Sequence, residues 1–322
     1  MNRLPPFDFY APATLSEAAD ILARGNARIL AGGTDLVVGM KQGVQRPRGV
    51  VWLGNLSELR EISIDAGGIL QIGAMCTLDE IGRNELVIRN FPVIARAVRS
   101  VASPQIRNRA TIGGNICLAT RCLYYDQSEF WRSSLGYCLK HGNGICHAAP
   151  ELRSCSAVFC SDLAPLLIGL NATVAISGSG SGRTIPLPRL YANDGASHLA
   201  LQPSEMITRI SVPSDRTASV TFLKLRRRDS VDYPLVNVAA RLEPSGKTSV
   251  RTIRIVVGAM ASAPVEFTSQ IDSEEPSERN IERIAASVSA ETRPLPNVDG
   301  AVSYRKRMLG VLVRRAVADL LM

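Results

Sequence analysis

From Val101 to Pro165 the chain reads VASPQIRNRATIGGNICLATRCLYYDQSEFWRSSLGYCLKHGNGICHAAPELRSCSAVFCSDLAP. The stretch opens on a Gly-rich turn, Gly113-Gly114-Asn115, and closes on Ser161-Asp162-Leu163-Ala164-Pro165. Between them lie Cys117, Cys122, Cys138, Cys146, Cys155 and Cys160, six of the seven cysteines in the chain. Glycine lets backbone N–H groups approach an anion closely, because no Cβ stands in the way. Thiols crowded into one loop are the raw material of a metal or redox centre. The stretch reads as a phosphate-cradling turn into which a cysteine-lined metal site has been inserted.

A second turn of the same kind lies upstream. Ser16 to Leu22 reads as a capped helix ended by Gly25 and Asn26, Ala27 to Ala31 as a buried strand, and Gly32-Gly33-Thr34-Asp35-Leu36 as a turn into a helix reaching Lys41. Strand, Gly-Gly, helix is an arrangement that offers free N–H groups to phosphate, although many structural turns share it. Two such turns could face each other across a pyrophosphate. Strands are expected at Val50–Leu53, Leu70–Ala74, Ala172–Ile176 and Glu205–Pro213, with helices at Thr77–Ile81, Pro92–Val101 and Leu166–Leu170. Ser177 to Gly182 reads as an exposed hairpin tip. Beyond a polar linker at Ser214–Ala218 come strands at Val220–Leu225, Val236–Leu242 and Val250–Gly258, then helices at Glu278–Val288 and Val302–Leu321. Strands followed by helices make this tail α+β.

Composition narrows the function. A chain of 322 residues with 46% hydrophobic content can bury two or three cores. No apolar run approaches the ~18 residues of a membrane span, and Met1 to Tyr10 lacks a basic-then-apolar leader, so a soluble cytoplasmic protein without a membrane partner is expected. The net charge of +8 would suit nucleic acid, but no helix-turn-helix, aromatic RNA-binding or paired finger pattern is present. Basic charge equally suits docking of an acidic electron carrier.

Ala31-Gly32-Gly33-Thr34-Asp35-Leu36, Ala102-Ser103-Pro104-Gln105-Ile106-Arg107, Thr111-Ile112-Gly113-Gly114-Asn115 and Ser161-Asp162-Leu163-Ala164-Pro165, in that order, resemble the FAD-binding subunits of the molybdenum hydroxylases, the family of xanthine and carbon monoxide dehydrogenases. The resemblance implies an α+β chain. An FAD-binding domain of vanillyl-alcohol-oxidase (PCMH) type, with two α/β subdomains, would span 1–215 and carry the cysteine insert at about 117–160. A C-terminal α+β flavoprotein domain would span 216–322. Carried over by position, Ile29, Leu30, Ala31, Gly32, Gly33, Thr34, Asp35 and Leu36 wrap the pyrophosphate of FAD. Thr111, Ile112, Gly113, Gly114 and Asn115 meet it from the other side, Val101 touches the isoalloxazine ring and Asp162 accepts from sugar hydroxyls. Ile207 and Lys224 fall at further FAD contacts. Arg107 and Arg109 stand where they could stabilise reduced flavin or form structural salt bridges, and Arg226-Arg227-Arg228 reads as a solvated strand end or a dock for an acidic partner or phosphate.

Residues 116–161 exceed the short loop usual in the family, and such an insert resembles that of its 4-hydroxybenzoyl-CoA reductase branch, which carries an additional [4Fe–4S] cluster. Cys117 and Cys160 sit on the shared scaffold, and Cys76 on a strand end, as small buried hydrophobes. Cys122, Cys138, Cys146 and Cys155 remain as metal ligands. Four thiolates suit a [4Fe–4S] cluster or zinc; His141 and His147 are possible substitutes. Tyr124, Tyr125, Phe130, Trp131 and Tyr137 could shield the centre. The implied function is electron transfer through FAD and [4Fe–4S], from reduced ferredoxin to a molybdenum-cofactor large subunit. A [2Fe–2S] small subunit would complete a dimer of heterotrimers that dehydroxylates 4-hydroxybenzoyl-CoA. The alternative is the FAD subunit of an ordinary hydroxylase of the xanthine, aldehyde or CO dehydrogenase kind, with structural zinc in the insert. A cysteine-rich interaction module on a degenerate flavin fold is a third.

Overall fold

Three sheets carry the chain, which the computed structural model describes over residues 3–215, 218–243, 250–272 and 277–321. Strand β1 (Asp8–Tyr10), helix α1 (Leu15–Ala23), β2 (Ala27–Leu30), α2 (Leu36–Lys41) and β3 (Gly49–Trp52) form a parallel, three-stranded unit in the order β1-β3-β2. The Thr14 hydroxyl accepts from the Glu17 N–H and starts α1, whose Ala18, Ala19, Ile21 and Leu22 pack with Val51 and Leu53.

The second unit begins with β4 (Ile62–Ile64) and β5 (Leu70–Gly73). Helices follow: α3 (Leu78–Arg83), α4 (Glu85–Asn90), α5 (Pro92–Arg99), α6 (Pro104–Arg107), α7 (Ile112–Ile116), α8 (Glu129–Ser134) and α9 (Ala164–Gly169). It ends with β6 (Thr173–Ser177), β7 (Arg183–Pro186) and β8 (Met206–Val212). Its sheet, in the order β4-β5-β8-β6-β7, is antiparallel throughout. A reciprocal box between Thr77 and Glu80 starts α3. The buried stripe of α5, Ile94, Ala95, Ala97 and Val98, joins Leu70, Ile72 and Ile210 in one core. The expected hairpin tip at 177–182 lies between β6 and β7 as read.

The third unit is an antiparallel meander of β9 (Ser219–Leu225), β10 (Val236–Leu242), β11 (Val250–Gly258) and β12 (Val265–Asp272), followed by α10 (Glu278–Glu291) and α11 (Val302–Leu321). The linker read at 214–218 falls partly outside the described residues. Every residue of β10 is buried, because it is covered on both faces. Val236, Val238, Ala240 and Leu242 face the cluster containing Leu309, Val313 and Val317 of α11, while Ala239 joins the core of the second unit. Asn237, on that same second face, donates from Nδ2 to the carbonyls of Ser161 at 3.0 Å and Asp162 at 3.2 Å. No described helix is long and apolar enough to cross a membrane.

Two stability outcomes follow from these contacts. Asn237→Ala strips two buried carbonyls of their donor and should cost about 2 kcal/mol, read as a lower denaturant midpoint; an unchanged midpoint would contradict the junction described. Burial pushes His198, packed 5.6 Å from Phe159, down to about 4, with Lys140 adding repulsion. The unfolded chain binds a proton there near pH 6.5 and the folded chain does not. Stability should therefore fall as pH drops from about 6.5 to 4, by on the order of 3 kcal/mol, and His198→Gln should flatten that slope.

Candidate functional site

The two glycine turns are brought together, as their spacing suggested. A Cβ on Gly32 would stand 1.7 Å from the Arg109 carbonyl oxygen, and one on Gly114 would stand 4.0 Å from the Ala31 Cβ. Gly33 has φ +74°, a conformation glycine adopts freely. The turns are not equivalent, however. In the first, the N–H groups of Gly32, Gly33 and Thr34 make no backbone hydrogen bond among the described residues. In the second, Ile112 and Gly113 donate to the carbonyls of Cys76 and Ala74, and the Gly114 N–H is taken by the Thr111 hydroxyl at 3.0 Å. The first turn thus supplies the open donors and the second a packed wall. Ile29 and Leu30 lead in on β2, and Leu36 opens α2. The Asp35 side chain pairs with the guanidinium of Arg121 and accepts from the Ala119 N–H at 3.3 Å. Arg121 also donates to the Tyr233 hydroxyl at 2.8 Å and lies over that ring.

Val101 is 5% exposed, and Ala102 beside it holds a left-handed φ of 44°, which strains a residue with a Cβ. Cations fix this corner. Arg107 donates to the carbonyls of Val101 at 2.7 Å and Ala102 at 3.3 Å; Lys224 and Arg226 both donate to Ser100 O, at 3.2 and 3.0 Å. Arg107 is therefore a backbone clamp and makes no salt bridge among the described residues. A cavity of about 290 Å³ lies alongside, lined by Ser100, Phe222, Lys224 and Arg226 among others.

Ser161 Oγ accepts from the Ala164 N–H at 3.1 Å, and Asn115 Oδ1 accepts from Ser161 Oγ at 2.8 Å and the Leu163 N–H at 3.1 Å. Asp162 stands 2.5 Å from the Lys224 ammonium, each side chain 4% exposed. Burial raises the Asp162 carboxyl above its usual range, and Lys224 offsets part of that effect. Two residues read separately as flavin contacts are thus each other's partner. Ile207 lies in the β8 core. Arg226, Arg227 and Arg228 are less free than a solvated strand end, pairing with Asp229, Asp299 and Asp232.

The insert is closed at its neck, where Arg121 and Val158 exchange backbone hydrogen bonds of 2.7 and 2.8 Å. Inside, Cys122, Cys138, Cys146 and Cys155 line one cavity with Tyr124, Tyr125, Leu139, Lys140, His147 and Ala157. All four are buried free thiols. As they stand, no three His, Cys, Asp or Glu side chains among the described residues form a group able to hold a metal ion. Burial raises Cys122 to about 11 and also raises Cys155. At Cys146, burial acts upward but hydrogen bonds from Ser156, Ala148 and Ala149 outweigh it, leaving the thiol below its ordinary value. Cys117, Cys160 and Cys76 stand apart in the cores, pushed by burial to about 12, 12 and 11. His147 Nε2 is 2.6 Å from the Tyr137 carbonyl, and His141 stacks on Tyr137 at 4.1 Å. Phe130 is 83% exposed and shields nothing in this chain. Arg121, Lys140 and Asn237 went unread, because each acts on a partner far off in sequence; only the position of Arg121 beside Cys122 hinted at a role.

Residues 5–215 match the family described as FAD binding domain in molybdopterin dehydrogenase, and residues 221–320 match the CO dehydrogenase flavoprotein C-terminal domain. The aldehyde oxidoreductase FAD-binding subunit PaoB of Escherichia coli is 32% identical over 247 residues, covering 74% of this chain and 76% of that one. The nicotine 6-hydroxylase medium subunit of Paenarthrobacter nicotinovorans is 28% identical over 322 residues and 98% of each chain. A solved carbon monoxide dehydrogenase from Hydrogenophaga pseudoflava shares the fold, with a TM-score of 0.77 at 23% identity over 99% of this chain and 98% of that one. Gly32→Ala, which drives a methyl into the Arg109 carbonyl, should weaken FAD retention at least tenfold while secondary structure persists. Wild-type flavin content in that variant, read from the visible absorbance, would refute the approach of the two turns as the cradle.

Proposed function

We propose that this chain, which belongs to the family of FAD-binding subunits of the molybdenum hydroxylases, is an oxidoreductase subunit that relays electrons between a molybdenum partner and an outside carrier. The observation that carries the flavin part is the pair of apposed glycine turns, one with open N–H donors. These residues fit FAD. Gly32, Gly33 and Thr34 would hold its pyrophosphate, Gly113 to Asn115 would back it, and the corner at Val101 would meet the ring. When bound, FAD exchanges electrons singly or in pairs. The chain's own contribution is position: Arg107, Lys224 and Arg226 fix the Val101 corner, and Asp162 in turn holds Lys224. The division into 1–215 and 216–322, with the insert at about 117–160, belongs to the same reading.

The names of the relatives favour a hydroxylase that sends electrons outward from molybdenum, acting on an aldehyde or a comparable small substrate. A large molybdenum subunit and a small [2Fe–2S] subunit, with two such trimers associating, would complete the enzyme. Four buried thiols lining one cavity, with no carboxylate among the lining groups, are the donor set a thiolate-held centre takes, although as they stand they are not gathered into a ligand group; a [4Fe–4S] cluster there would add a one-electron station beside the flavin. That same feature sustains the second reading, a ferredoxin-driven reductase of 4-hydroxybenzoyl-CoA, in which the flow reverses.

Iron, zinc, acid-labile sulfide and flavin in the purified complex decide the centre. Cys138→Ser or Cys146→Ser should lower iron by about four atoms per protomer, leaving FAD bound. Zinc in the wild type, or full iron in both variants, would overturn the cluster. Comparing aldehyde oxidation with reduction of 4-hydroxybenzoyl-CoA separates the two directions of flow.

A further inference from the structure

We infer that Lys140 is the fixed positive charge that sets the reduction potential of the centre held by Cys122, Cys138, Cys146 and Cys155; the inference rests on the cluster reading just given. Lys140 lines the same cavity as the four thiols. Its ammonium donates to the Thr120 carbonyl at 2.5 Å and the Thr120 hydroxyl at 2.6 Å, and stands 4.8 Å from the centre of the Tyr125 ring. Thr120 is itself buried, 2% exposed, and donates its hydroxyl proton to the Gly195 carbonyl at 2.5 Å. These partners are all neutral. Asp126, among the charged groups that act on Lys140, turns its Oδ2 to the Cys122 N–H at 3.0 Å, and Arg121 adds repulsion.

Hydrogen-bonded to neutral groups, attracted by Asp126 and repelled by Arg121, the buried ammonium carries a desolvation cost that these charges only partly offset. The cavity beside it supplies the compensation once its thiols are thiolates on a metal centre. A four-iron cluster with four thiolate ligands carries a net charge of 2−. It takes one electron, without making or breaking a bond, to reach 3−. That electron enters more easily beside a fixed cation, so Lys140 raises the potential relative to a neutral residue in its place. Sequence spacing alone gives no reason for a lysine here; the fold buries it against the thiols.

The test is an EPR-monitored redox titration of the purified complex, with iron, sulfide and flavin counted in the same samples. Lys140→Met should keep iron and flavin but be about tenfold less reduced at a given potential, a shift of about 59 mV to more negative values. Full iron with an unmoved midpoint would overturn the role of Lys140 and leave the cluster reading intact. A wild-type complex with no iron beyond its small subunit would instead remove the cluster reading and this inference with it. If Lys140→Met loses iron, Lys140→Arg decides: iron retained at the wild-type midpoint supports the charge, and iron lost again overturns it.

Discussion

The buried pairing of Lys224 with Asp162 is the contact on which the arrangement of this molecule depends. Lys224 belongs to the C-terminal meander and Asp162 to the start of α9, so the pair locks the last unit to the second. Neither charge could be buried alone; removing one partner would leave the other stranded at a cost of several kcal/mol. Asn237 supports the same junction by donating to the Ser161 and Asp162 carbonyls. Lys224 reaches on to Ser100 O, beside the strained Val101–Ala102 corner. The geometry of the Val101–Ala102 corner is thus set in part from the C-terminal unit.

The insert is organised by a different device. Arg121 closes its neck against Val158, pairs with Asp35 in the first glycine turn, and reaches Tyr233 in the loop after β9. The residue next to Cys122 is therefore tied to the cradle on one side and to the C-terminal unit on the other. A centre held at Cys122 would inherit a fixed position relative to the flavin from this one guanidinium.

Much of the architecture could be read from local pattern, where local physics decides. The Thr77 and Glu80 box, the Pro92 start of α5, the glycine-rich tip at 177–182 and the long period of α11 each act within a few residues. What escaped the reading acts at long range. Asp162 and Lys224 belong to different units, so nothing local in the sequence marks them as a pair. The pairing of Asp35 with Arg121 likewise joins residues far apart in the chain. The four thiols were legible as a set because the three other cysteines had scaffold reasons to be buried. Their shared cavity was not, and neither was the lysine pressed against it.

Because Arg121 and Val158 are already bonded neighbours, the polypeptide between them leaves and returns at nearly one point. Closing such a loop costs the host little, since the entropy penalty grows only slowly with its length. The cysteine-bearing segment can consequently be regarded as a detachable module. A lineage could lengthen or shorten the segment without moving the bonded pair at its neck.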